Sequence, residues 1–229
     1  MAARPPRTAI VTGTASGIGA AIAHRLAADG WRVVGVDRAR IDDAAHLAAQ
    51  VTLDLADIAA IPAALAPHVG AVALVHAAGV MRTGTLETLD PADGATMWAL
   101  HVAALTAMAQ AIVPAMDGGG RIVAIGSRTS AGAAGKSQYA AVKAAMVGLI
   151  RSWAIELAPR GITANVIAPA ATATPLLARA DRAAVPPVLP PIGRYVEPAE
   201  VAAYAAFLLS PDAGAITGQQ LLICGGASL

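Results

Sequence analysis

The sequence of 229 residues predicts a doubly wound α/β domain, three layers deep, with a parallel sheet of about seven strands. Short β-branched runs alternate with longer alanine-rich stretches of helical length. Most of the strand candidates are apolar on both faces, as strands covered by helices on each side must be. Gly and Pro are spread along the chain rather than pooled into a linker, so residues 1–229 read as one domain, with 1–7 as a flexible tail.

The strand candidates are Thr8–Thr12, Arg32–Val36, Val51–Leu53, Ala71–His76, Arg121–Ile125, Thr163–Ile167 and Leu221–Ile223. Gly19–Asp29, Gly94–Met116, Gln138–Ala158 and Pro198–Leu209 have helical length and few breakers. The stretch from Arg38 to Gln50 is weakly patterned, which predicts an abbreviated second crossover.

Hydrophobic residues make up 56% of the chain and charged residues 14%, against about 25% charged in an ordinary domain. Such a chain either spans a membrane or hides apolar surface by association. The best candidate span, Ala99 to Met116, is interrupted by His101, Thr106, Gln110 and Pro114, which argues for association instead. A net charge of +1 without a basic run gives no footprint for nucleic acid. The N-terminal residues lack the apolar core of a secretion signal, and the single cysteine, Cys224, suits a reducing cytoplasm. Cys224 lies in an apolar run and is expected to be a small buried hydrophobe.

Between the first strand and first helix runs Thr12-Gly13-Thr14-Ala15-Ser16-Gly17-Ile18-Gly19. Glycines there let backbone approach a pyrophosphate, and the helix N-terminus offers free N–H groups. Asp37 ends the next strand, about 20 residues on, where a carboxylate binds the adenosine ribose hydroxyls and repels a 2′-phosphate. That favours NAD over NADP, although Arg38 beside it is able to hold a phosphate.

The glycine spacing, TGxxxGxG, resembles the short-chain dehydrogenase/reductase family, and the resemblance extends from Thr8 to Gly226. It implies a Rossmann fold. It places Asp54 and Leu55 near the adenine, and His76-Ala77-Ala78-Gly79 where the family carries Asn-Asn-Ala-Gly, with Ala77, Ala78 and Gly79 along the cofactor. His76 is then a structural replacement for the first Asn.

Tyr139 and Lys143 are four positions apart in a helical pattern and share a face, so the ammonium is able to favour the phenolate. Ser127 ends the fifth strand. By the resemblance Tyr139 is the general acid/base, Lys143 also binds the nicotinamide ribose, and Ser127 orients the substrate oxygen. Ser127 stands twelve positions before Tyr139, one fewer than is commonest in the family, and Ser130 is the alternative. The family's catalytic Asn is replaced by His101, either as a member of the proton relay or as a plain polar residue. Pro169, Thr172 and Thr174 follow the sixth strand; Thr174 would meet the carboxamide, with Ile167 or Ala168 packed on the ring. Ala170 replaces a family glycine, so its turn must accept a Cβ.

The segment from Pro175 to Arg194 corresponds to the family's substrate lid. It is apolar and proline-rich, apart from Arg179, Asp181 and Arg182, which implies a neutral hydrophobic ketone or secondary alcohol. A 3-oxoacyl-thioester reductase is the nearest alternative, and a catalytically silent NAD(H)-binding sensor or scaffold is the alternative of another class. A halohydrin dehalogenase fails, because it needs Arg in place of Lys143. The apolar helices Gly94–Met116 and Gln138–Ala158 are those through which family members form homotetramers. No metal site is expected.

Overall fold

A computed structural model describes residues 7–177 and 185–229. Its seven strands are β1 (Thr8–Thr12), β2 (Arg32–Asp37), β3 (Ala49–Thr52), β4 (Ala73–His76), β5 (Arg121–Ile125), β6 (Thr163–Pro169) and β7 (Gln220–Ile223). All pair in parallel, in the order β3-β2-β1-β4-β5-β6-β7. This is the Rossmann arrangement, with the order reversing between β1 and β4. The central strands β1, β4, β5 and β6 are almost wholly buried, which is why their sequences are apolar on both faces.

Helices α1 (Gly17–Ala28) and α6 (Pro198–Leu208) cover one face over a core that includes Ile22, Leu26, Val33 and Leu208. On the other face lie α2 (Ile61–Leu65), α3 (Pro91–Trp98), α4 (Ala104–Ile112) and α5 (Ser137–Leu157), over a core centred on Leu105, Met108, Ile122 and Met146. Between β2 and β3 there is no helix, as the weak pattern of Arg38–Gln50 predicts. The helical stretch Ile58–His68 has no counterpart among the sequence candidates; Pro62 and Pro67 punctuate it and blur its period.

The predicted helix Gly94–Met116 runs from Pro91 to Ala115 and is interrupted by a π-helical turn at Ala99–Ala103, where Ala104 N–H bonds Ala99 O. By length and composition it is apolar enough to cross a membrane, but half of its most apolar window is buried in the fold. Arg7, expected to belong to a flexible tail, instead stacks its guanidinium 4.1 Å over the Trp31 ring and bonds Leu209 O. Residues 1–6 lie outside the described chain. Cys224 is partly exposed rather than buried, because β7 is the last strand of the sheet, and a bond from Ser228 lowers its thiol pKa.

Candidate active site

Two adjoining cavities open along the C-terminal ends of the strands, one of about 360 Å³ and one of about 400 Å³. They share Ile18, Ala77, Gly79, Val80, Thr174 and Leu176, so they form one groove across the point where the strand order reverses.

The smaller cavity is built on the glycine loop. Gly13 takes φ +74°, and a Cβ on it would lie 2.9 Å from the Ala78 nitrogen. A Cβ on Gly19 would lie 2.2 Å from the Gly13 oxygen, so only glycine lets the first turn of α1 close onto the loop. Ser16 is the N-cap of α1 yet spends no side-chain bond on the cap, which leaves its hydroxyl for a ligand. At the end of β2 the Asp37 carboxylate accepts N–H bonds from Ala15 (3.0 Å) and Ala39 (2.9 Å), which tie it to the glycine loop and fix its direction. Gly13, Ser16, Gly17, Gly19, Asp37, Arg38, Asp54, Leu55 and Ala78 all line this cavity. Asp54 does two jobs: its Oδ1 caps Ala56 N–H at 2.9 Å.

The larger cavity brings together Ser127, Tyr139, Lys143, His101, Pro169, Thr172 and Thr174. Helix α5 carries Tyr139 and Lys143, and the ammonium lies 5.7 Å from the phenol ring centroid. Lys143 is buried and donates to Ile125 O at 2.7 Å; burial pushes its pKa down to about 7. Ser127 lies two residues past β5, and its Oγ lies 2.7 Å from Thr129 Oγ1 and accepts Thr129 N–H. Ser130 is turned away, its Oγ accepting from Gln220 Nε2 at 2.6 Å, and it lines neither cavity.

Two histidines replace the asparagines of the family pattern, and the π turn joins them. His76 Nε2–H donates to Leu100 O (3.1 Å) in that turn, while its Nδ1 accepts from the Thr12 hydroxyl (3.2 Å). Thr12 Oγ1 in turn accepts the N–H groups of Ala77 and Ala78, at 3.0 and 2.9 Å. His76 thus locks β4 to β1 and to the helix layer, the structural role expected of it, and burial holds its pKa at about 3. His101 Nδ1 is 3.0 Å from Lys143 Nζ, and its Nε2 faces both the oxygen (2.8 Å) and the N–H (3.2 Å) of Val80. Burial, with the nearby Lys143 charge, keeps this imidazole neutral. Both neutral tautomers are therefore satisfied. With Lys143 as ammonium, Nζ donates to Nδ1 and Nε2–H donates to Val80 O. With Lys143 as amine, Nδ1–H donates to Nζ and Nε2 accepts Val80 N–H.

The predicted site residues line the two cavities, apart from Ile167, Ala168 and the alternative Ser130. Ile167 and Ala168 are fully buried in β6, and Pro169, Ala170 and Ala171 line the cavity in their place. Ala170 accommodates its Cβ, since no described residue other than glycine takes a positive φ. In the described part of the segment expected to be the lid, Leu176, Leu177, Val188 and Leu189 line the cavity, and Arg128 and Lys136 line it from the loop before α5. Arg179, Asp181 and Arg182 lie outside the described residues. Thr129 and Val80 escaped sequence analysis, because nothing in the one-dimensional pattern marks a hydroxyl two residues past Ser127 or a backbone group facing a histidine.

A family model described as enoyl-(acyl carrier protein) reductase matches residues 13–228. A short-chain reductase, NovJ of Streptomyces niveus, is 35% identical over 95% of this chain and 92% of its own. The 3-oxoacyl-[acyl-carrier-protein] reductase of Vibrio cholerae is 33% identical over 96% of each chain.

The chain belongs to the short-chain dehydrogenase/reductase family.

Among solved structures, a Burkholderia cenocepacia family member in complex with NADP superposes with a TM-score of 0.83 at 33% identity, covering 97% of this chain and 98% of that one. A 3-ketoacyl-(acyl-carrier-protein) reductase from Brucella melitensis, complexed with NADH, gives 0.83 at 29% identity over the same shares. This short-chain dehydrogenase/reductase is thus an oxidoreductase acting on CH–OH and C=O groups with a nicotinamide nucleotide. The glycine cradle that any Cβ would fill, and the anchored Asp37, fit such a cofactor.

Proposed function

We propose that this protein is an NAD(H)-dependent dehydrogenase/reductase, working in the cytoplasm, that interconverts a ketone and a secondary alcohol on a mainly apolar frame. The observation that carries this is the convergence of Ser127, Tyr139, Lys143 and His101 on one cavity beside the glycine cradle. Bound across the groove, the cofactor supplies or accepts the hydride. Asp37 supports NAD, since its carboxylate is fixed where a 2′-phosphate would be repelled. Ser16 and the first N–H groups of α1 would hold the pyrophosphate, Asp54 and Leu55 the adenine, Lys143 and Tyr139 the nicotinamide ribose, and Thr174 the carboxamide.

The substrate oxygen then sits between the Ser127 and Tyr139 hydroxyls. The Ser127–Thr129 bond pre-orients the serine, so little side-chain freedom is lost on binding. In reduction Tyr139 donates its proton to that oxygen, and Lys143 stabilises the phenolate left behind. In reduction Tyr139 is recharged by Lys143, and Lys143 by His101, whose two satisfied tautomers let a proton enter at Nε2 and leave at Nδ1 toward Lys143; oxidation runs the reverse. His101 thus belongs to the relay. A 3-oxoacyl thioester is the second substrate class, supported by the likeness to the Vibrio cholerae enzyme.

The test is NADH and NADPH oxidation across cyclic, aromatic and β-keto carbonyls, with Tyr139→Phe as control. Turnover with NADH that falls at least 1,000-fold in Tyr139→Phe, with NADH binding retained, is the expected result. NADH binding without turnover on any carbonyl would favour the silent sensor.

A further inference from the structure

The two cavities differ in charge. The adenosine end carries Asp37 and Asp54 with Arg38, whereas the substrate end carries Arg128, Lys136 and Lys143 and, among the described residues, no Asp or Glu. Lys143 is committed to Ile125 O and His101. Arg128 is not committed. It is half-buried, it lines the cavity directly after Ser127, and among the described residues its guanidinium has no hydrogen-bond or ion-pair partner. A guanidinium withdrawn from part of its water and left unpaired is costly, and its planar fork matches a carboxylate.

We propose that the substrate is an oxo- or hydroxy-carboxylate whose carboxylate is bound by Arg128, which rests on the hydride-transfer chemistry assigned above to the same cavity. Arg128 follows Ser127 immediately, with Cα atoms about 3.8 Å apart. Both line the same cavity, so the anion that Arg128 receives is assigned to the body of the substrate and not to the remote phosphate of a carrier arm. The rest of the frame is apolar, because Leu176, Leu177, Val188 and Leu189 face it. Arg128 thus sets specificity without taking part in the proton transfer.

Paired probes test this: 4-oxopentanoate and 4-acetylbenzoate against their methyl esters, at saturating NADH. The native enzyme is expected to prefer at least one acid over its ester by tenfold or more in kcat/KM. Arg128→Gln should collapse that acid-to-ester ratio at least tenfold, Arg128→Lys should keep part of it, and raising salt from 50 to 500 mM should reduce it. Equal use of acids and esters by the native enzyme, or an unchanged ratio in Arg128→Gln, overturns the proposal. Should none of the four compounds be reduced, the oxidoreductase assignment is what fails for them. Calorimetric titration of NADH-saturated protein with 4-acetylbenzoate then decides separately: binding weakened tenfold by Arg128→Gln supports the carboxylate site, and no binding or equal binding refutes it.

Discussion

Burial presses Lys143 toward neutrality and lowers its pKa to about 7. Its value in the unfolded chain is near 10.5. Between the two, the unfolded chain holds a proton that the folded one has released, so raising the pH favours the folded state, by at most about 1.4 kcal/mol per pH unit. His76, depressed from 6.5 to about 3, adds a slope of the same sign over its own interval. Urea midpoints of the cofactor-free protein should therefore rise from pH 7 toward pH 10, and Lys143→Met should flatten that rise while leaving the acid limb. Gly79 tests the relay from the other side. A Cβ there would lie 2.3 Å from His101 Cε1, and the φ of Gly79 is ordinary, so the collision with the ring comes without backbone strain. Gly79→Ala should displace the imidazole and lower kcat about tenfold or more, with the same altered pH–rate profile as His101→Ala. A native profile in both variants would remove His101 from the relay.

Elements were legible where one physical pressure dominates. The bounds of β1 and β5 and the glycine loop follow from two-sided burial and from backbone approach, both of which act residue by residue. β3 is only partly buried, so its sequence carries little pattern and its predicted start was displaced. The π turn was not legible, since Trp98-Ala99-Leu100-His101-Val102 has ordinary helical composition. What opens the turn there is tertiary: Leu100 O is taken by His76, and His101 is drawn to Lys143 and Val80. Sequence likewise found the members of the site but not Thr129 or Arg128, because a loop before a helix does not reveal which of its side chains turns inward. The β2 end allows a direct check. Asp37 is oriented by Ala15 and Ala39, and Arg38 lines the same cavity beside it. Asp37→Ala should lower kcat/KM for NADH at least tenfold, raise it for NADPH, and so invert the preference, read from initial rates with each cofactor. Unchanged preference would move cofactor discrimination elsewhere.

At the scale of the molecule, an apolar composition has to be reconciled with water. The two cores absorb most of the large side chains, but Ile155 on α5 remains 78% exposed and Trp98 at the end of α3 50% exposed. These lie on the two helical stretches that the sequence marks as association surfaces, and α3 and α5 pack against each other on one face of the sheet. Isolated exposed hydrophobics are common, so the argument rests on their falling on both predicted helices together. A stable contact must bury on the order of 800 Å² per chain, which two adjacent helix faces are able to provide. The chain should therefore run in light-scattering chromatography at about four times its 22.7 kDa. Ile155→Lys places a charge on that exposed face and should shift the population to smaller species at micromolar concentration, with far-UV circular dichroism unchanged. A native chain that stays monomeric at that concentration would leave the apolar face without a partner and refute the tetramer.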